Sequence, residues 1–337
     1  MFLYAAVLLL STVMSAGYLI ANREQLLRLV QFFFYLSLFF VVSDTSIDPG
    51  FRRRVVLLVV GTGILEGVIA CFQWFTRVGF FTTGTFDREH NHLSAYLVFT
   101  GLLLVGVMAE VRSRKAIAAL LAGFVAMGIG LAFSFSRTGY VAVAAGMVLF
   151  AFLGISWKKR LAVLLLLAAG AIAAYQLVPE SVAERFGTIV VVAAGKTKTD
   201  ISFTTRLMMW RDAIDAFRSS PLIGVGAMRI PITDNYFVKT LGETGLLGMA
   251  SLLWLIAAIL REGLRAFRSV SGDALVRGAR LGLVPAAFAL LVVFNGLGDF
   301  FGVHRLMGVF WILLAVLLPR ADLPEDGPVG REIGLSK

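Results

Sequence analysis

Apolar residues recur along the chain in runs long enough to cross a bilayer, each closed off by charged residues or by Gly and Pro. A helical span needs about 20 largely apolar residues. The pattern predicts ten such runs, at residues 2–20, 26–43, 55–76, 93–110, 117–134, 138–154, 161–178, 241–260, 281–298 and 306–318. The fold class is therefore all-α: a polytopic transmembrane helical bundle of about ten spans with a partly helical outer loop. Residues 1–178 form an N-terminal bundle of about seven spans, 179–245 the long loop, 246–318 the C-terminal spans and 319–337 a polar cytoplasmic tail.

Inside the long loop the period changes. From Arg206 to Ser219, the residues Trp210, Ala213, Ile214 and Phe217 fall on one helical face, Arg211, Asp212, Asp215 and Arg218 on the other, and Pro221 ends the run. This predicts an amphipathic helix packed on the outer membrane surface. Asp234 is placed to cap a further helix that begins at Asn235 and runs through Gly245 into the eighth span, which would make loop and span one mechanical unit.

Composition narrows the class. With 58% hydrophobic and 15% charged residues and a mean hydropathy of +0.86, the chain is no water-soluble domain. A net charge of +10 would raise nucleic-acid binding in a soluble protein. Here, however, Arg52 to Arg54, Arg112, Arg114, Lys115, Lys158 to Arg160, Arg261, Arg265, Arg268, Arg277 and Arg280 sit in short connections. Insertion topology and lipid headgroups account for them there, so no nucleic-acid partner is expected. The same bias puts both termini in the cytoplasm and the long loop outside. Met1 to Ile20 lacks a basic leader region and a cleavage site before a soluble domain, and reads as a first span. The single cysteine, Cys71, allows no internal disulfide and no Cys-based metal site.

Ionisable groups near span ends are costly in lipid and are functional candidates for that reason. Arg137, between two apolar spans in Ser134 to Tyr140, must face a cavity, a headgroup or an anionic ligand, or snorkel to lipid phosphate. Arg206 lies one turn before Trp210. Two guanidinium forks can grip one diphosphate in a way that lysines cannot, although a loop arginine can equally be solvated or ion-paired. His90 and His92 alternate ahead of the fourth span. They lack a third donor for zinc, so a groove lining, or a helix entrance capped by Asn91, suits them better and no metal is expected. Asp234 and Glu243 could each take a proton from a sugar hydroxyl, with a purely capping role open to Asp234. Asp299, His304 and Arg305 share a short outer connection that could complete a site or merely end two helices. Gly195-Lys196-Thr197 resembles the end of a phosphate-binding loop, but Val190 stands where its first glycine belongs. No cofactor is indicated.

In order along the chain, His90 to Leu93, Ser136 to Tyr140, Arg206 with Trp210, Pro221 and Gly224 to Gly226, Asp234 to Tyr236, and Glu243 to Gly248 resemble the O-antigen ligase and polymerase superfamily of bacterial envelope glycosyltransferases. The resemblance covers residues 80–250 or so. It implies a metal-independent, GT-C-like enzyme of the bacterial inner (cytoplasmic) membrane, with its active site facing the periplasm. Undecaprenyl-diphosphate-linked glycan would be the donor, a glycan or glycolipid the acceptor, and membrane lipids the surroundings. Arg137 and Arg206 would then hold the diphosphate, with Asp234 as the catalytic carboxylate. His90, His92, Trp210, Arg211, Asn235, Tyr236, Glu243, His304 and Arg305 would bind substrate. Ligases of this group usually carry a histidine where this chain has Asp234, so polymerisation of repeat units is expected ahead of ligation to lipid A–core. A lipid-linked-sugar flippase is the non-enzymatic rival, but apart from Glu66 the candidates gather at one membrane face.

Overall fold

The computed structural model describes residues 1–45, 48–76, 81–86, 89–153, 201–230, 233–268 and 273–318. The predicted span at 161–178 and the tail at 319–337 lie outside the described residues. Among the described residues the regular elements are all helical: α1 (Phe2–Met14), α2 (Ala16–Ala21), α3 (Arg23–Thr45), α4 (Pro49–Phe75), α5 (His90–Glu110), α6 (Arg114–Phe133), α7 (Arg137–Phe152), α8 (Ile201–Ser219), α9 (Tyr236–Arg268), α10 (Ala274–Phe288), a π-helical stretch (Ala289–Phe294) and α11 (His304–Leu317).

The polar residues that separate the apolar runs act as caps. Asp48 accepts hydrogen bonds from the backbone N–H of Gly50 and Phe51 at 2.9 and 3.0 Å, with Pro49 at the first helical position. Asp273 does the same for Leu275 at 2.8 Å, and Ser136 for Gly139 at 3.2 Å. Among the described residues, six helical segments are long and apolar enough to cross a membrane by length and composition: α3, α4, α5, α6, α9, and α10 with its π-helical continuation. The helices α1, α7 and α11 are apolar but shorter. Nine of the ten predicted spans thus coincide with helices, and six of them reach spanning length.

Span 2–20 is not one helix. It breaks at Ser15 (φ −101°, ψ 11°), whose hydroxyl donates back to the Ser11 carbonyl at 3.3 Å, the local competition that makes serine a poor helix-interior residue.

At the centre stands α5, buried continuously from Leu93 to Val107. It packs against α10 backbone to backbone: a Cβ on Gly106 would overlap the Gly278 carbonyl oxygen, and one on Gly282 would lie 2.5 Å from the Leu102 carbonyl oxygen. Lipid offers no hydrophobic advantage over leucine, so close approach through small residues is what holds membrane helices together. Around this core α3, α4, α6 and α9 expose Phe34, Leu58, Leu65, Phe72, Val125 and Trp254, a surface suited to acyl chains.

One end of the bundle is tied by Arg277 to Glu110 at 2.8 Å and Arg53 to Asp273 at 3.9 Å, where the predicted cytoplasmic connections come together. The entrances of α5, α7 and α9 and the connection before α11 gather elsewhere, around a cavity.

Candidate functional site

The cavity has a volume of about 450 Å³, within the usual range for small-ligand sites of roughly 300–1,000 Å³. Its charged lining comes from elements far apart in sequence: Arg28 near the start of α3, Glu89 just before α5, Arg206 of α8, Asp234 before α9, and Asp299 in the connection before α11. Asn91, His92, Thr138 and Phe300 add polar and aromatic surface. Every outer connection predicted from the sequence and described in the structure reaches this cavity or adjoins it.

The entrances of α5 and α7 are fixed to each other by a serine network. Ser136 caps α7, donates to Asn91 Oδ1 at 2.8 Å and accepts from Ser94 Oγ at 2.8 Å. Phe135 takes a left-handed backbone (φ 55°) to make the turn. Thr138 thereby lines the cavity, while Arg137, one residue before it, opens α7 without being among the lining residues.

Arg206 and Asp234 meet inside the cavity, Nε to Oδ2 at 3.1 Å, with side chains 29% and 41% exposed. This corrects the expected helix cap. An N-cap residue has extended backbone, whereas Asp234 is left-handed (φ 48°), and its carboxylate is engaged by Arg206. The cap is Asn235, whose Oδ1 accepts from Val238 N–H at 3.1 Å, and α9 begins at Tyr236.

Nor does α9 run unbroken through Gly245, which is non-helical (φ 63°, ψ −159°). The backbone donors released there bond to the loop after α8, Leu246 N–H to the Pro221 carbonyl at 2.9 Å and Leu247 N–H to that of Leu222 at 3.1 Å. A Cβ at Gly245 would overlap the Leu222 backbone. Left-handed backbone costs a residue with a Cβ roughly 1–2 kcal/mol before any overlap is counted. Gly245→Ala is accordingly expected to lower the thermal unfolding temperature in detergent, and an unchanged melting curve would show that the break is not needed.

Glu66 serves this end of the bundle from within α4. It accepts from Thr85 twice, from Oγ1 at 2.5 Å and from the backbone N–H at 3.0 Å. Gln73 Oε1 accepts from the backbone N–H of Thr83 and Gly84, and its Nε2 donates to the Gly84 carbonyl. Together they clamp the segment that precedes His90, which gives the mid-span carboxylate a structural role at the cavity end.

Of the predicted site residues, the structure brings His92, Arg206 and Asp234 into the cavity. The ring of His92 meets Phe300 edge-on at 6.0 Å, whereas that of His90 stacks on Phe81 at 4.6 Å. Trp210 donates to the Thr233 carbonyl at 2.8 Å, holding α8 against the turn that carries Asp234. Tyr236 and Glu243 are buried beyond the lining. The Tyr236 hydroxyl lies 2.6 Å from that of Tyr4, and Glu243 accepts from Ile230 N–H at 3.2 Å. Arg305 donates to the Thr85 carbonyl at 2.5 Å. Arg211 is exposed beside Asp215 and does not reach the cavity. His304 opens α11, and its side chain lies outside the described residues.

Sequence reasoning missed Arg28, Glu89 and the partnership of Lys239 with Asp299, which form an ion pair at 2.7 Å with side chains only 10% and 12% exposed. A charged residue at an otherwise apolar span entrance was the available signal for Lys239; nothing local marks its partner sixty residues on.

The described residues thus form a helical bundle with six segments long and apolar enough to cross a membrane and a polar, charge-paired cavity at the helix entrances. Residues 122–253 match the family described as O-antigen ligase, in line with the resemblance that the sequence motifs carry. That family points to a glycosyltransferase-like ligase activity at a membrane. The matched segment carries Arg137, Arg206, Asp234 and Lys239, whereas Arg28, His92 and Asp299 lie outside it. No curated protein matches the chain.

Proposed function

We propose that the cavity is the transfer site of a polyprenyl-diphosphate-dependent glycosyltransferase that polymerises surface-polysaccharide repeat units on the outer face of the bacterial inner membrane. The observation that carries this reading is the Arg206–Asp234 pair lining one cavity together with Asp299 and His92. A hydroxyl oxygen of the acceptor saccharide forms a bond to the anomeric carbon of the donor glycan. The bond from that carbon to the phosphate oxygen breaks, and undecaprenyl diphosphate leaves with the electron pair.

A guanidinium has five N–H donors, of which Arg206 commits Nε to Asp234. Its terminal nitrogens can then serve the diphosphate, with Arg137 as the second cation. Such preorganised donors are worth several kcal/mol where charge develops in a water-poor site. Asp234 is the carboxylate that the sequence singles out to assist the acceptor hydroxyl, and no metal or cofactor enters the scheme.

The family description favours a second reading, ligation of a finished glycan to lipid A–core or another terminal acceptor. Purified protein given one labelled lipid-linked donor distinguishes the two. Polymerisation yields a ladder of lengthening products on a lipid-linked acceptor. Ligation yields a single step on the glycolipid, and transport without bond formation would identify a flippase.

A further inference from the structure

We propose that Asp299 is a second catalytic carboxylate of the transfer site and the group that receives the acceptor's hydroxyl proton; this assignment rests on the transfer reading above and refines its base. The geometry divides the work between two carboxylates. Asp234 is turned to Arg206 through Oδ2, so it orients the cation that holds the donor. Asp299 reaches the cavity from the opposite side in sequence, out of the connection between the π-helical stretch and α11.

Asp299 is held from behind. Lys239 donates to its Oδ2 at 2.7 Å, and both side chains are withdrawn from solvent. The pairing compensates two charges that would otherwise be left alone away from water. The other oxygen is different. Oδ1 is buried and has no hydrogen-bond partner among the described residues. A buried carboxylate oxygen left without a donor is unfavourable and calls for one. A Cβ on Gly302, which itself lines the cavity, would lie 3.7 Å from Oδ1.

Oδ1 is closed off as it stands, so a turn of the Asp299 side chain toward the cavity it lines is what lets a sugar hydroxyl supply the missing donor. As its oxygen bonds to the anomeric carbon and the carbon–phosphate oxygen bond breaks, the hydroxyl proton passes to Oδ1 while Lys239 keeps Oδ2. The neutral carboxyl then returns the proton to solvent or to the departing diphosphate. His92 and Phe300, which meet edge-on beside this position, supply a surface against which a sugar ring can lie.

The test uses the full chain in detergent with a labelled polyprenyl-diphosphate glycan, measuring donor binding and transfer separately. Positioned general bases contribute about 10²- to 10⁴-fold. Asp299→Asn is expected to lower transfer at least about 100-fold, to change donor affinity less than about twofold and to remove the acid limb of the pH–rate profile. Asp234→Asn, by releasing Arg206, is expected to weaken donor binding as well. If Asp299→Asn does not fold, the double variant Asp299→Asn with Lys239→Gln, which removes both charges together, takes its place with the same expected outcome. Asp299→Asn at a third or more of the wild-type rate, or with donor binding lost as severely as transfer, overturns the assignment. Wild-type protein that neither binds nor transfers the donor overturns the parent reading, and this one with it.

Discussion

Arg206→Lys is expected to cut glycosyl transfer at least about 100-fold, the scale of removing one preorganised donor from a charge-stabilising site, while leaving the protein folded. Lysine keeps the positive charge and can still pair with Asp234, so the turn before α9 should persist. It loses the planar fork that bonds one carboxylate and one phosphate at once. Arg206 is not a core residue, and its replacement should shift the melting temperature by no more than a few degrees. Arg137→Lys should behave alike, although Arg137 opens α7 beside the cavity and does not line it. Product formation from a labelled donor, together with a melting curve, checks both. Full activity in the two variants would remove the diphosphate-binding role.

The largest effect on the fold is expected at Gly106, where α5 meets α10 without intervening side chains. A Cβ there would overlap the carbonyl oxygen of Gly278, and Gly278 and Gly282 present backbone to α5 in turn. The helices would have to separate. Overpacking a well-filled core costs roughly 1–3 kcal/mol and sometimes more, and here the obstacle is backbone. Gly106→Val is expected to reach the upper part of that range, about 3 kcal/mol, seen as a lower unfolding temperature and loss of monodisperse protein in detergent. Separation would also disturb Arg280, a fully buried α10 residue whose Nε donates to the Leu317 carbonyl at 3.0 Å. Gly128→Ala in α6 is the control: nothing lies within 4 Å of its Cβ position, so the melting temperature should hold or rise.

The helices were legible because lipid demands continuous apolar runs; their starts lie up to a turn or two ahead of those runs, at Asp48, Ser113, Ser136 and Asp273, residue types that cap helices. What failed was local geometry at polar residues. Ser15 interrupts the first span, and Asn235 caps α9 while Asp234 turns to Arg206. A capping residue and its neighbour look alike in sequence; the left-handed backbone at Asp234 decides between them.

The site was legible in part for a similar reason. Arg206, His92 and Asp234 stood out as polar residues beside apolar spans. Arg28 pairs with Glu24 one turn away, at 2.7 Å, and nothing in its sequence surroundings sets it apart from an ordinary surface charge. Lys239 and Asp299 become a pair only when α9 folds beside the connection before α11, a juxtaposition no spacing encodes. Glu66 was the exception to the gathering of candidates at one membrane face, and the bonds to Thr85 make it a clamp on the loop before α5.

The most direct test of the central claim is a structure of the full chain with undecaprenyl diphosphate bound. The account requires the diphosphate to lie in the cavity between α5, α8 and the connection before α11, within ion-pair distance of Arg206 and Arg137, with Asp299 facing the space where an acceptor sugar would stand. A headgroup bound at the opposite end, beside Arg277 and Arg53, or one that touches neither Arg206 nor Arg137, would contradict it.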